Sequence, residues 1–307
     1  MERKLQYIAA DTDMGRTVKD VLQHHFHLSA RQISRAKFMD GGILVNGVEV
    51  TVRWQLKPGD CLMVALEDKE AGSHQLIPQP GELDIRYEDE DLVLVNKPSG
   101  LVVHPSPGHY ADSLANILVW HYGQKGEHIV VRPVGRLDRE TSGLIYIAKN
   151  KAAVRKMELQ RISGEMERHY LALVHGSPER DEGIIEEPIG PDPDVWMKQR
   201  VTPDGAYAKT SYRVRSRFDG YSLVELHLFT GRTHQIRVHM AWLGHPLLGD
   251  SMYDGETTQN EFGMERTALH SWRLICTQPF TRERLEFVCE LPEDMKRLIE
   301  RDEKYCI

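Results

Sequence analysis

The stretch KTSYRVRSRFDGYSLVELHLFT, residues 209–230, decides the fold. Two runs that alternate with period two, Lys209–Phe218 and Ser222–Phe229, flank Asp219-Gly220, a pair that turns one strand back on another. Such a hairpin needs partner strands, and LVLVNK (92–97), LIYIAK (144–149) and HYLALVHG (169–176) supply them. Helical spacing falls irregularly between the strands, in SLANILVWHY (113–122), KAAVRKMELQRI (151–162) and THQIRVHMAWLG (233–244). Irregular alternation predicts an α+β fold with a mixed, largely antiparallel sheet, not a doubly wound parallel one.

Upstream, residues 16–66 read as a compact α/β module. VKDVLQHHF spaces Val18, Val21, Leu22 and Phe26 as a helix does, and a second helix in SARQISRAKFMDGG starts at a Ser29 cap and ends by Gly41-Gly42. The strands ILVNGVEV and DCLMVAL follow, the first broken by the hairpin pair Asn46-Gly47. Residues 67–81 are polar, charged and then rich in proline, as a linker is. The expected division is therefore a small domain at 1–66, a linker at 67–81 and a larger domain at 82–307.

The 307 residues are 40% hydrophobic and 28% charged, a globular composition. No apolar run approaches the ~18 residues of a membrane span, and the N-terminus lacks the apolar core of a signal peptide. Cys61, Cys276, Cys289 and Cys306 are isolated and show no zinc or disulfide spacing, so a reducing cytoplasm is the expected compartment. The net charge of −7 sits entirely in residues 67–91, where nine acids face two bases; the remainder is neutral. Within that remainder, residues 130–161 carry eight bases against three acids, a local field suited to a phosphate backbone.

No phosphate-cradling glycine loop, zinc-protease helix or nucleophile elbow is present. His24, His25 and His27 lie on an amphipathic helix, and His234 and His239 are five apart on another, so neither set has ligand spacing. No metal and no cofactor are expected. The informative segment is VGRLDRETSGLIYIAKN, residues 134–150. Asp138 stands between Arg136 and Arg139 on a turn before a strand, where cations favour a charged carboxylate. The same pattern also occurs as a surface ion pair of little worth, and spacing alone does not separate the two.

GRLDRETSGL (135–144) resembles the active-site motif of the RluA/RluD-type pseudouridine synthases. NKPSGLVVHP (96–105), RHYLALVHG (168–176), TGRTHQIRVHMAWLGHPLLGDSMY (230–253) and ALHSWRL (268–274) resemble that family's other blocks in order. The N-terminal module, with Arg31, Arg35 and Lys37 along its second helix, resembles the small RNA-binding module of a small-subunit ribosomal protein, the S-four module.

The resemblance implies isomerisation of uridine to pseudouridine in RNA, with ribosomal RNA the first candidate and transfer RNA the second. The implied reaction demands no redox cofactor, nucleotide or metal; no membrane partner is expected from the hydropathy, and a monomer is the default. The resemblance casts Asp138 as the catalytic aspartate, Tyr170 as the ring that stacks on the target base, and Arg232 as the arginine that pairs with the aspartate. Arg136 would fill the gap left by an extruded nucleotide, with Arg139 beside it on the RNA. Thr233 is expected to cap the helix behind Arg232, whose stripe is Ile236, Met240 and Leu243. Two residues depart from the family pattern: Gly135 where a histidine is usual, and Arg168 where a lysine is. A non-catalytic RNA-binding or ribosome-assembly factor on the same scaffold is the alternative.

Overall fold

The structure is a computed structural model that describes residues 2–39, 41–67, 76–106, 108–254 and 262–303. Residues 68–75 of the expected linker and Cys306 lie outside the described residues. Strand β1 (Glu2–Ile8) leads into α1 (Val18–Asp20), a π-helical turn (Val21–His25) and α2 (Ala30–Ala36). Strands β2 (Ile43–Val45), β3 (Val48–Glu49) and β4 (Cys61–Glu67) complete a sheet of order β1-β4-β2-β3. The expected first helix widens after one turn, where the Phe26 N–H reaches the Val21 carbonyl, and Val18, Val21, Leu22 and Phe26 all stay in the core. Ser29 caps α2 and receives the Gln32 side chain in return. Asn46 and Gly47 both take left-handed φ values (52° and 80°), as a two-residue hairpin requires. The strand β1 was not legible in the sequence; it pairs antiparallel with β4 along its whole length.

The second sheet is larger. Strands β5 (Asp84–Glu88) and β6 (Leu92–Lys97) precede α3 (Leu114–Gln124). Next come β7 (Arg132–Pro133), β8 (Ser142–Ala148) and α4 (Lys151–Ser163). Strands β9 (Glu167–His175), β10 (Glu182–Ile185), β11 (Ile189–Pro191), β12 (Gln199–Val201), β13 (Thr210–Arg217) and β14 (Tyr221–Leu228) run on to α5 (Gln235–Trp242). The chain closes with β15 (Leu269–Thr277), β16 (Arg284–Val288) and α6 (Glu293–Glu303). Ten strands form one sheet of order β10-β13-β14-β9-β15-β8-β6-β5, with β7 beside β8 and β16 beside β15. Every pairing is antiparallel except β8 with β15, so the expected α+β class and mixed, largely antiparallel sheet are observed.

The late strand β15 slots between β8 and β9 and thereby brings the loop before β8 next to the middle of β9. Gly143 makes this closure fit: its φ is 108°, and a Cβ there would lie 2.2 Å from the Ser271 carbonyl oxygen. Residues 76–81 are held rather than loose. The Asn116 side chain donates to the Ile77 carbonyl at 2.8 Å, and the Gln79 N–H donates to the Asn116 carbonyl. The small sheet keeps its own apolar cluster, which extends to Ala152 of α4 and to Phe280. Lys156 of α4 lies 4.8 Å above the Phe280 ring. Among the described residues no helix is long and apolar enough to cross a membrane.

Candidate active site

Asp138 sits in the turn between β7 and β8, and the next residue in that turn is pinned from below. The buried Lys97 ammonium donates to the carbonyls of Pro98 (2.9 Å), Leu101 (2.7 Å) and Arg139 (3.1 Å). The Gly100 N–H donates to the same Arg139 carbonyl at 2.8 Å. Burial pushes the Lys97 pKa down to about 7, with Asp138 opposing the shift.

Beside this turn lies a cavity of about 280 Å³, lined by Asp138, Tyr170, Arg136, Arg168, Arg232 and Arg237 among others. It is near the lower end of ligand pockets (~300–1,000 Å³), a size for one nucleobase with its sugar rather than for a length of RNA. Tyr170 enters from β9, opposite Leu226 of β14 and Ser271 of β15. Burial raises its phenol pKa, so the ring offers a neutral flat face.

The cation facing Asp138 is Arg237, whose Nη1 lies 3.8 Å from the carboxylate; the two side chains are 10% and 20% exposed. Arg237 is itself held from behind: Nε and Nη2 donate to the two oxygens of the fully buried Asp250 at 2.6 and 2.7 Å. Its guanidinium also stacks over Tyr253 at 5.0 Å. Burial works against the charge on Arg237, but the Asp250 hydrogen bonds and charge outweigh it, Asp138 adds to them, and the pKa ends above its ordinary value. His234 completes this wall, with Nδ1 3.1 Å from the Tyr253 hydroxyl and its own pKa lowered by burial.

Two expectations are corrected here. Arg232 does not pair with Asp138: it is exposed on the cavity rim, and its Nε donates to the Tyr207 carbonyl at 2.8 Å. It precedes α5, whereas Arg237 lies inside the helix, three residues before Met240, on the side turned to the core. Thr233 does not cap the helix either. His234 occupies that position with a left-handed φ of 55° and no side-chain cap. Gln235 does the tying instead: its oxygen accepts from the Arg232 N–H and the Thr230 hydroxyl, and its amide donates to Lys209 and Thr210.

Arg136 and Arg139 do not clamp Asp138. Both are exposed, Arg136 on the cavity lining and Arg139 3.5 Å from Glu140. Arg168 also lines the cavity, anchored by Nη2 to the carbonyls of Leu228 and Thr230. Gly135 has a φ of 79°, in the left-handed region that glycine enters without a Cβ penalty. Arg31 and Lys37 are exposed and Arg35 half-buried on the small domain, away from the cavity lining. The residues that sequence reasoning missed are Arg237, Asp250, Tyr253 and His234. The phase of α5 carried a signal for the first, and the acid after Leu247-Leu248-Gly249 for the second.

A cavity with one carboxylate, a buried guanidinium facing it, an aromatic face and a cationic rim can hold a flat base and stabilise charge at an attached sugar. Known proteins point the same way. The profile of the RNA pseudouridylate synthase family matches residues 91–242. The uncharacterized RNA pseudouridine synthase YjbO of Bacillus subtilis is 42% identical, over 89% of this chain and 94% of its own. Ribosomal large subunit pseudouridine synthase D of Vibrio cholerae is 35% identical, over 95% of this chain and 93% of its own. The solved structure of human RNA pseudouridylate synthase domain containing 4 superposes with a TM-score of 0.58 at 27% identity, over 71% of this chain and 92% of that one. On the strength of these relatives, aligned through almost their full length, this chain belongs to the RNA pseudouridine synthases, within the group that includes the large-subunit enzyme D.

Proposed function

We propose that the chain converts specific uridines of large-subunit ribosomal RNA to pseudouridine, with Asp138 as the catalytic carboxylate and Tyr170 as the platform for the flipped base. The N1–C1′ bond breaks, uracil turns over, and C5 bonds to C1′. Substrate and product are isomers, so the reaction calls for no redox partner. Asp138 acts at the ribose, by attack on C1′ or by removal of the C2′ proton, and each route needs its negative charge. The carrying observation is the 3.8 Å approach of Asp138 to an arginine that is itself fixed by a buried carboxylate.

Flipping the nucleotide costs a few kcal/mol of unstacking, and a Tyr170–uracil stack offsets about 1–3 kcal/mol of it. C5 loses a proton and N1 gains one, and the Tyr170 phenol stacked on the base is the candidate to take the proton from C5. Arg136 and Arg232, which line the cavity, and the exposed Arg139 take RNA phosphates or the vacated stack. Residues 1–66 act as a separate S-four-like RNA-binding domain through Arg31, Arg35 and Lys37, joined through 67–81 to the catalytic domain at 82–307. We place the protein in the cytoplasm as a monomer, with transfer RNA as the second substrate candidate.

Asp138→Asn tests the reading. Incubated with uridine-containing ribosomal RNA, the variant should form no pseudouridine while binding the RNA as tightly as the parent. An active variant overturns the assignment of Asp138, and an inactive parent on both RNA classes favours the non-catalytic RNA-binding alternative.

A further inference from the structure

Strand β9 has a second face. Arg168 and Tyr170 line the cavity, so by alternation Glu167 and His169 point to the other side of the sheet. There the register sets His169 directly opposite His227 of β14. The two rings stack with centroids 4.7 Å apart and planes within 11°. His169 Nε2 lies 3.1 Å from Glu167 Oε2, and one donor atom from each of Glu167, His169 and His227 falls within 4.8 Å of the others. All three residues are half-buried, and none touches the cavity of the proposed reaction.

From this juxtaposition we propose that Glu167, His169 and His227 form a binding site for a divalent transition metal of the zinc class, bridging β9 and β14. Two imidazoles and a carboxylate are a borderline donor set, which suits zinc and disfavours magnesium and calcium. Zinc holds such donors at about 2.0–2.2 Å, so the side chains close by roughly 1 Å around the ion, and three protein ligands leave a fourth position for water.

The surroundings are arranged for it. His169 Nδ1 faces Glu225 at 3.3 Å, and Arg215 fixes Glu225 in turn, the carboxylate–imidazole support that metal-bound histidines use. The neighbouring cation Arg273 is occupied by Glu286 at 2.6 Å, as Arg215 is by Glu225. Phe229, 4.4 Å from the His227 ring, screens one side.

The test uses the full chain without a histidine tag, stripped of metal and titrated with zinc chloride against a chromophoric chelator. One equivalent should bind, with magnesium and calcium failing to compete. His227→Ala and Glu167→Gln should each weaken that equivalent at least tenfold, and Glu225→Gln should do so by roughly 10–100-fold. Zinc should also raise the thermal midpoint of the parent and not that of His227→Ala. Glu167→Gln alters a partly exposed side chain, so circular dichroism matching the parent separates ligand loss from misfolding. Absence of a tight equivalent in the parent overturns the proposal, and so does unchanged zinc affinity in folded Glu167→Gln and His227→Ala.

Discussion

Replacing Arg237 by Met tests the chain of charge that runs from Asp250 to Asp138. The guanidinium makes two short hydrogen bonds to a fully buried carboxylate and stands 3.8 Å from that of Asp138. Removing one partner of a buried pair leaves an uncompensated charge and costs about 3–5 kcal/mol of stability. At roughly 2–4 °C per kcal/mol for a domain of this class, the thermal midpoint should fall by about 6–20 °C. A unit charge near 4 Å contributes about 1 kcal/mol in water and about 4 kcal/mol at an effective dielectric of 20, so loss of Arg237 should slow catalysis by about 5- to 1000-fold.

The double variant Arg237→Met with Asp250→Asn separates the two effects. It removes the orphaned charge, so most of the stability should return. Activity should stay low, because Asp138 still lacks its cation. The assays are calorimetry and single-turnover pseudouridine formation at a temperature where all forms are folded. A double variant that regains activity along with stability would falsify the reasoning, since Arg237 would then act only through the fold.

His270 is buried, contacts Ser142 and Cys289, and burial lowers its pKa to about 4. An unfolded histidine takes up its proton near pH 6.5, so the stability owed to the neutral ring is complete above that pH and is lost as pH falls toward 4. His270→Asn should therefore show a shallower loss of thermal midpoint between pH 6.5 and 4; an unchanged slope counts against it. Changing Arg31, Arg35 and Lys37 together to Gln should weaken RNA binding and make the salt dependence shallower by roughly 2 in log–log slope, read by filter binding. An unaltered slope means the small domain meets RNA elsewhere. Gly143→Ala should cost several kcal/mol or prevent folding, as its Cβ would meet the Ser271 carbonyl at 2.2 Å; a denaturant midpoint like the parent's contradicts that.

Elements marked by local chemistry were legible before any coordinates. The Asn46-Gly47 hairpin, the Ser29 cap and the alternating runs of β13 and β14 lie where their residues predict. Strand β1 was hidden because its partner β4 lies some sixty residues away and its own alternation is short. In the site, Asp138 and Tyr170 stood out through the blocks around them, and both line one cavity. The arginine beside Asp138 did not, because two arginines share the block and only the helix phase tells them apart. Among fifteen histidines, the pair that stacks, His169 and His227, was invisible for a similar reason: strand register, not sequence distance, makes them neighbours.

The ties that Lys97 and Gly100 make to the Arg139 carbonyl have a thermodynamic consequence for the residue just before it. A loop that must be immobilised when a ligand arrives surrenders conformational entropy at that moment, and the loss appears as weaker affinity. Here the backbone next to Asp138 is already frozen when the chain folds, so a uridine swung out of its helix meets a surface with little left to organise. Heat-capacity and entropy changes on RNA binding should then arise from the nucleic acid's own rearrangement far more than from the enzyme's.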